Sequence, residues 1–388
     1  MKKIYLDYAA TTPTDPEALK VMLPYFCDKF GNASSVHCFG QEAKRALEES
    51  RLKIALSLGA DTSEIIFTSG GTESNNFALF GVADALVNKG NHIIISSIEH
   101  HAITEPAKFL EKKGFNITRL RVDRYGVVDP LDVKKAITDR TILVSIMQAN
   151  NEIGTLQPIK EISKIIKEKN IYFHTDAVQS VGHIPVNVAD LGVDLLSLSG
   201  HKFYGPKGVG ALYVKHGTKI TRFLHGGDQE RMRRASTENI AGVVGMASAL
   251  EICQAKMKEE MKLQAELRDK LIKGIIEKID DIILNGHPTN RLANNINFSF
   301  KYIEGESILL NLDLEGIAAS TGSACTSDSL EPSSVLLAVG QAQEDAHGSI
   351  RFSLGRWTSE AEIDYVLEKL PKIVAKLRAM SPIYNKKG

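Results

Sequence analysis

The feature that most constrains the fold is the alternation of short apolar segments with amphipathic helical patterns over the first part of the chain. Helices are predicted at 41–57, 105–113 and 159–169, among others. This order is typical of an α/β fold, in which a mainly parallel sheet is flanked by helices. The seven predicted strands are 64–68, 92–96, 118–122, 142–146, 171–175, 195–199 and 210–214.

A long, charged, amphipathic helix is predicted at 243–279, and we place a domain boundary inside it, near Gln254. The predicted large domain comprises residues 15–254. Residues 1–14 and 255–388 form a smaller α+β domain with the loop around Cys325. Its predicted strands are 295–300 and 349–354, and its predicted helices are 305–314 and 359–380.

Composition excludes several classes of protein. The 388 residues are 43% hydrophobic, which is enough to bury a full core. Lys plus Arg and Asp plus Glu both number 47, so bulk charge predicts no attraction to nucleic acid or to an anionic membrane. The chain has neither an apolar run of about 18 residues nor a signal-peptide pattern, which predicts a cytoplasmic protein without a membrane span. Four scattered cysteines predict reduced thiols and no metal site.

A lysine and an aspartate each follow a predicted strand. Lys202 lies in the turn 199–208, where an amine that loses its proton can bind an aldehyde cofactor covalently. Asp176 follows the strand at 171–175, and a carboxylate there can keep a pyridine nitrogen protonated, which makes the ring an electron sink. Taken singly, an exposed lysine and a helix-capping aspartate are the more ordinary interpretations.

Other polar residues at strand ends fit the same kind of site. Gly71 and Thr72 open a predicted helix after a strand, where free N–H groups favour a phosphate, and Ser199 and His201 can add donors. His100 follows the strand at 92–96 and can stack on a flat ring or move protons. A capped Gly-Gly turn and a surface histidine pair are the alternatives. The ends of strands in an open α/β sheet line one crevice, so we expect these groups to meet.

Amide side chains and one thiol complete the set of candidates. Gln179 can reach a phenolic oxygen on the ring, and either Asn150 or Asn151 can bridge cofactor and substrate. Cys325 lies in a small, polar loop, whereas Cys253 lies in an apolar run that is typical of a structural cysteine. Cys325 is therefore the better candidate for a reactive thiol.

These motifs together resemble the NifS/IscS-type cysteine desulfurases, in the class V aminotransferase group of fold-type I pyridoxal-phosphate enzymes. The resemblance runs nearly from end to end. It covers residues 5–12, 31–37, 68–76, 99–101, 149–154, 174–179, 199–210, 225–239 and 322–325.

The resemblance implies a pyridoxal 5′-phosphate cofactor joined to Lys202. It implies that Asp176 pairs with the ring nitrogen and that His100 stacks on the ring. The other implied cofactor contacts are Gln179 and Asn151 near the phenolic oxygen, and Gly71, Thr72, Ser199 and His201 at the phosphate.

The resemblance also implies a substrate, an acceptor thiol and a dimer. Arg351 matches the arginine that clamps the substrate carboxylate, with Asn151 beside the substrate. Thr237 matches a threonine that reaches the phosphate of the neighbouring subunit, which implies a homodimer. Cys325 matches the thiol that accepts sulfur, and it is also a candidate transient ligand of an iron–sulfur cluster.

The implied reaction converts L-cysteine into L-alanine and a persulfide on Cys325, while Lys202 and His100 move the α-proton. The implied sulfur acceptor is an IscU/NifU-like scaffold of iron–sulfur cluster assembly, with tRNA-thiolation proteins as another option. The alternative functions are a selenocysteine lyase, another pyridoxal-phosphate enzyme such as an aminotransferase, and a weakly active sulfur-relay or scaffold-binding paralogue.

Four positions depart from the family's usual pattern, and none of them removes a core catalytic group. Ser236 replaces a usual glycine beside Thr237, and serine is strained there if the backbone has a positive φ. The other departures are Ala33 for a common proline, Asp228 for a common glycine and Ser334 for a common histidine.

Overall fold

Twelve strands, fourteen α-helices and two short 3-10 helices occur in the computed structural model, which describes residues 3–321, 332–382 and 384. The strands are β1 Ile4–Tyr5, β2 Ile65–Thr68, β3 His92–Ser96, β4 Asn116–Leu120, β5 Thr141–Ser145, β6 Tyr172–Asp176, β7 Leu195–Ser199, β8 Gly210–Val214, β9 Ile282–Leu284, β10 Asn295–Phe300, β11 Ile317–Ala318 and β12 Ser349–Ser353. The helices are α1 Pro16–Met22, α2 Pro24–Cys27, α3 Cys38–Leu58, α4 Gly71–Ala85, α5 His101–Lys112, α6 Pro130–Ala136, α7 Ile159–Lys167, α8 Val188–Leu191, α9 Gln229–Met232, α10 Ile240–Lys278, α11 Gly305–Leu314, α12 Ser334–Ala338, α13 Gln343–His347 and α14 Glu360–Met380.

The largest sheet has seven strands in the order β2-β8-β7-β6-β5-β3-β4. Neighbouring strands from β7 to β4 run parallel, whereas β8 runs antiparallel to both β2 and β7. The predicted α/β fold with a mainly parallel seven-stranded sheet is therefore confirmed. The carboxyl ends of parallel strands lie at the same edge of the sheet, so the loops that follow these strands lie side by side.

Both faces of this sheet are buried, as is usual for parallel strands covered by helices. Every residue of β3, β5 and β7 is buried. Successive side chains of a strand point to opposite faces. Ile94 and Leu196 accordingly pack into one hydrophobic core, while Ile93 and Leu195 pack into another on the opposite face.

Observed element boundaries differ from the predicted ones by a few residues. The largest difference is at α5, predicted to begin at residue 105, which begins at His101. The reason is a side-chain cap, because the Nδ1 atom of His100 accepts a hydrogen bond from the backbone N–H of Ala102 at 3.0 Å. A histidine cap is rarer than Ser, Thr, Asp or Asn, so the pattern did not indicate it.

A separate hydrophobic core surrounds the antiparallel sheet β9-β10-β12 and contains Phe298 and Phe352. The long helix α10 contributes to both parts of the molecule. Its residue Leu250 packs into one of the two cores of the large sheet, and its residue Leu271 packs into the core around β9-β10-β12. The division of the chain at residue 254 stays a prediction.

By length and composition alone, α10 is apolar enough to cross a membrane, and it is the only such helix among the described residues. Half of its most apolar window is buried inside the fold. Its principal neighbours are α3, α1 and α14. These contacts are those of a core helix.

Candidate active site

A cavity of about 320 Å³ lies at the carboxyl ends of the parallel strands. It brings together ten of the twelve predicted site residues. The two others are Thr237, which is exposed and does not line the described cavity, and Cys325, which lies outside the described residues. The predicted residues that line it are Gly71, Thr72, His100, Asn151, Asp176, Gln179, Ser199, His201, Lys202 and Arg351.

Lys202 reaches the cavity from a short 3-10 turn, Gly200–Lys202, that directly follows β7. Its Nζ donates hydrogen bonds to the backbone carbonyls of Ala9 at 2.6 Å and Ala10 at 2.8 Å. These carbonyls belong to the segment after β1, so the N-terminal part of the chain holds the amine in place. Backbone carbonyls orient an ammonium without adding a permanent counter-charge.

Asp176 is the last residue of β6 and is buried. Both of its carboxylate oxygens accept hydrogen bonds, Oδ2 from Asn75 Nδ2 at 2.6 Å and Oδ1 from the backbone N–H of Val178 at 2.9 Å. The two donors fix the direction of the carboxylate. Asn75 was not predicted as a site residue, although it lies one helical turn beyond Gly71 in α4.

His100 is a neutral imidazole in this environment. Burial is the main cause that lowers its pKa, and the neighbouring Lys202 and His101 act in the same direction, while Asp176 acts in the opposite direction. Because Nδ1 accepts the capping hydrogen bond from Ala102, the neutral ring carries its proton on Nε2. A neutral ring with a fixed tautomer can stack on an aromatic cofactor and exchange a proton at Nε2.

The predicted phosphate cradle is built where α4 begins. A Cβ atom at Gly71 would lie 2.7 Å from Cγ2 of Val178, so a larger residue there would collide with the Val178 side chain, two residues after Asp176. His201 hydrogen-bonds through Nδ1 with Thr11 Oγ1 at 3.1 Å. Burial, followed by the positive charges of Lys202 and Lys207, lowers the pKa of His201 to about 4, so it is neutral at pH 7.

The structure distinguishes the two candidate asparagines. Asn150 is fully buried and its side chain is used locally, since Nδ2 donates to Ile98 O at 3.0 Å and Oδ1 accepts from the backbone N–H of Glu152 at 2.9 Å. Asn151 instead lines the cavity. Gln179 also lines it, and its Nε2 donates to Ala9 O at 3.0 Å.

Arg351 extends from β12 into the cavity wall. Its Nη2 bonds Asp7 Oδ1 at 2.8 Å and its Nη1 donates to the carbonyl of Asn151 at 3.0 Å. Its Nε is buried and has no hydrogen-bond partner within the described part of the chain. A buried unsatisfied donor is costly, and a carboxylate in the cavity would satisfy it.

Two buried carboxyl groups that we did not predict as site residues also line the cavity, Glu99 and Glu152. Burial raises the pKa of Glu99 to about 8 and that of Glu152 to about 7. Glu152 accepts a hydrogen bond from Ser333 Oγ at 2.5 Å. The only sequence signal was their adjacency to His100 and Asn151, and adjacency does not reveal which side chains point inward.

The cavity residues fit a pyridoxal phosphate. A primary amine, a carboxylate with both oxygens fixed, a neutral imidazole and a helix N-terminus without room for a Cβ face one space of suitable size. By contrast, no cluster of three or more His, Cys, Asp or Glu side chains suited to a metal ion occurs in residues 3–321, 332–382 and 384.

Comparison with known proteins gives consistent results. The model of the family "Aminotransferase class-V" matches residues 4–366. The cysteine desulfurase IscS of Dictyoglomus turgidum is 61% identical over 381 residues, which cover 98% of this chain and 97% of that protein. The cysteine desulfurase IscS of Methanosarcina thermophila is 56% identical over 385 residues, which cover 99% and 95% of the two chains.

Solved structures show the same likeness. A NifS-like protein superposes with a TM-score of 0.92 at 39% identity, covering 97% of this chain and 100% of the other. A structure described as SspA in complex with cysteine superposes with a TM-score of 0.82 at 36% identity, covering 92% of this chain and 100% of the other.

Proposed function

Because the chain belongs to the class V aminotransferase family and is a pyridoxal-phosphate-dependent cysteine desulfurase, we propose that the cavity around Lys202 takes sulfur from L-cysteine and passes it to Cys325. The products are L-alanine and a persulfide on the enzyme. The observation that carries the proposal is the meeting of Lys202, Asp176 and Arg351 in one cavity. These residues supply, respectively, an amine, an anion for a ring nitrogen and a cation for a carboxylate.

The chain's own residues bind and orient the substrate. Arg351 holds the substrate carboxylate through its unpartnered Nε, and Asn151 lies beside it. Asp176 and the neutral ring of His100 fix the position of the cofactor. Pyridoxal phosphate, when bound, supplies an electron-accepting ring that weakens the bonds at the substrate α-carbon.

Proton transfer and sulfur transfer then fall to different residues. Lys202, whose amine lies at the end of β7, removes the α-proton of the substrate, with the Nε2 atom of His100 as the second proton-exchanging group. The Cys325 thiolate forms an S–S bond with the substrate sulfur while the substrate C–S bond breaks. The carbon keeps the electron pair of that bond and takes a proton, so the other product is alanine.

The experiment that tests this proposal measures alanine and sulfide together from L-cysteine and a reductant. We expect equal yields from the parent protein and no sulfide release from Cys325→Ser. Cys27→Ser, which changes an exposed cysteine, is the control and should behave like the parent. Full turnover by Cys325→Ser would remove this thiol from the mechanism. A preference for selenocysteine in the same assay would favour the lyase.

A homodimer is part of the proposal. Thr237 is exposed and lies away from the cavity wall of its own chain, which suits a residue that contacts a neighbouring phosphate. Its neighbour Ser236 has a φ of 107°, a conformation that favours glycine, so the strain expected at this departure from the family pattern is present. Thr237→Val is expected to weaken cofactor binding in a protein that still sediments as a dimer. A monomer in sedimentation of the parent would contradict the dimer.

The sulfur acceptor and the cellular site complete the proposal. We assign an iron–sulfur scaffold protein as acceptor and the cytoplasm as location. Support for the acceptor comes from the relatives' name, cysteine desulfurase IscS, and from the resemblance of the motifs. Transfer of labelled sulfur from Cys325 to a purified scaffold protein tests the acceptor, and its absence would favour another acceptor.

A further inference from the structure

We propose that Glu99 is a positioning residue of the desulfurase site. It is a neutral carboxylic acid, so that Asp176 alone of these two carboxyl groups carries a negative charge, and it directs a hydrogen-bond donor at what the cavity binds. The inference deepens the proposed function and rests on the cofactor-binding role given there to Asp176. It does not depend on Cys325 or on turnover.

The two oxygens of Glu99 have very different surroundings. Glu99 follows β3, directly before His100, and it is 5% exposed. Its Oε1 accepts two hydrogen bonds, from Ser96 Oγ at 2.5 Å and from the backbone N–H of Met147 at 3.0 Å. Its Oε2 is buried and has no hydrogen-bond partner in the described parts of the molecule, although Glu99 lines the cavity. Of the two oxygens, Oε2 is therefore the one that can still take a hydrogen-bond partner.

Asp176 differs from Glu99 in this respect. Both oxygens of Asp176 have donors, Asn75 Nδ2 and the Val178 N–H. A buried negative charge is costly unless hydrogen bonds surround it, so a charge costs less on Asp176 than on Glu99. When two carboxyl groups interact, one of them keeps its proton. On Glu99 the proton sits on Oε2, because Oε1 already accepts two donors.

A second unsatisfied atom supports this assignment. Asn75 lines the cavity, and its Oδ1 is buried and has no hydrogen-bond partner among the residues described. Asn75 uses its amide nitrogen on Asp176. The protonated Glu99 thus offers a hydrogen-bond donor and Asn75 offers an acceptor. The negative charge stays on Asp176. Buried polar atoms are normally paired, so this arrangement is completed by whatever binds there.

Electrostatics agrees with the geometry. Burial raises the pKa of Glu99, the charge of Asp176 acts in the same direction and the hydrogen bonds from Ser96 and Met147 act against it, so that the pKa is about 8. The other titratable groups on the cavity wall are His100, which caps α5, Lys202, after β7, and His101, Glu152, His201 and Arg351. Met147, after β5, contributes only its N–H.

The test compares two variants by cofactor affinity. Glu99→Gln keeps a neutral donor of the same shape, and Glu99→Leu removes it. We expect Glu99→Gln to bind pyridoxal phosphate within about threefold of the parent. Glu99→Leu should bind it about tenfold more weakly, the usual consequence of losing one buried hydrogen bond. Equal affinities of Glu99→Leu and parent would overturn the proposal, as would a Glu99→Gln variant as weak as Glu99→Leu.

A second measurement uses the cofactor-free protein, so it is independent of activity. The pKa of Glu99 is higher in the folded state than in the unfolded state, so the folded protein binds the extra proton. The contribution of Glu99 to the free energy of unfolding is full below about pH 4.5 and is lost as the pH rises to about 8. In Glu99→Gln this loss should disappear. An unchanged pH profile in Glu99→Gln would overturn the assignment of the proton, even if Glu99→Leu does not fold.

Glu152→Gln is the matched control, because it changes another buried carboxyl of the same cavity. The pKa of Glu152 is about 7, so this variant should flatten the profile only up to about pH 7 and leave the fall towards pH 8 in place. If the cofactor binds but no alanine forms, the proposed function fails while this inference stands.

Discussion

Lys202 and Lys207 lie in one turn yet have different environments. Lys202 faces the cavity and donates to the carbonyls of Ala9 and Ala10, whereas Lys207 is exposed. The Lys202 amine shares the cavity with Asp176 and His100, so an aldehyde bound there can reach it, whereas Lys207 does not line that cavity. The cavity therefore selects one of two lysines that the sequence presents side by side.

This difference predicts the site of covalent attachment. After borohydride reduction of cofactor-saturated protein, peptide mass mapping should find the cofactor on Lys202 alone. Lys202→Ala should show no adduct, and Lys207→Ala, the matched control, should show the parental one. An unmodified Lys202 peptide from saturated protein would contradict the assignment.

At the scale of elements, the start of α4 sets the space for a phosphate. Gly71 has no room for a Cβ because Val178 Cγ2 would lie 2.7 Å away. Any side chain there must move Val178, whose N–H holds Asp176. A substitution at Gly71 is therefore expected to affect both the phosphate site and Asp176, which is proposed to hold the cofactor ring.

Gly71→Ala is expected to weaken cofactor binding by about tenfold or more, which corresponds to roughly 1.4 kcal/mol. Equilibrium titration followed by absorbance measures it. Gly217→Ala is the control: nothing lies near its Cβ, but its φ of 83° makes alanine strained. That variant should lose about 1 kcal/mol of stability with unchanged cofactor affinity.

The segment before α10 is held by a buried ion pair. Glu230, Arg231 and Met232 all have positive φ, which is unfavourable for residues other than glycine. Glu230 bonds Arg51 through both oxygens, at 2.7 and 2.8 Å, and also accepts the N–H of Phe67. The pair anchors this strained segment to the edge strand β2.

Glu230→Gln should destabilise the protein by about 3–5 kcal/mol, because it leaves Arg51 buried without its counter-charge. Urea denaturation measures this change. Glu48→Gln weakens only the partly exposed pairs of Glu48 with Arg51 and Arg231 and should change stability little. Similar midpoints for the two variants would show that Glu230 does not anchor the segment.

At the scale of the whole molecule, buried neutral groups cross-link the central strands of the large sheet. His174 in β6 is fully buried between Ser145 of β5 and Ser197 of β7, at 2.8 and 3.0 Å. Burial lowers its pKa to about 3. The folded protein thus keeps this histidine neutral, while the unfolded chain protonates it below about pH 6.5.

His174 therefore contributes stability above about pH 6.5 that is lost as the pH falls towards 3. In His174→Gln the fall of the unfolding free energy between about pH 6.5 and 4 should be shallower than in the parent. His216→Gln, at an exposed histidine, should retain the parental slope. Identical slopes in parent and His174→Gln would show that other groups govern acid unfolding.

The sequence by itself determined the strand and helix order, the sheet type and the strand-end position of Lys202, Asp176 and His100. These features can be predicted from hydrophobic periodicity and from the order of elements along the chain, and the motif resemblance indicated the roles of the three residues. Only the tertiary structure decided that Asn151 and not Asn150 faces the cavity, that Asn75 holds Asp176, and that one oxygen of Glu99 lacks a partner. The physical reason is that hydrogen bonding and burial depend on groups far apart in the chain, such as Asn75 and Asp176, whose meeting no local pattern records.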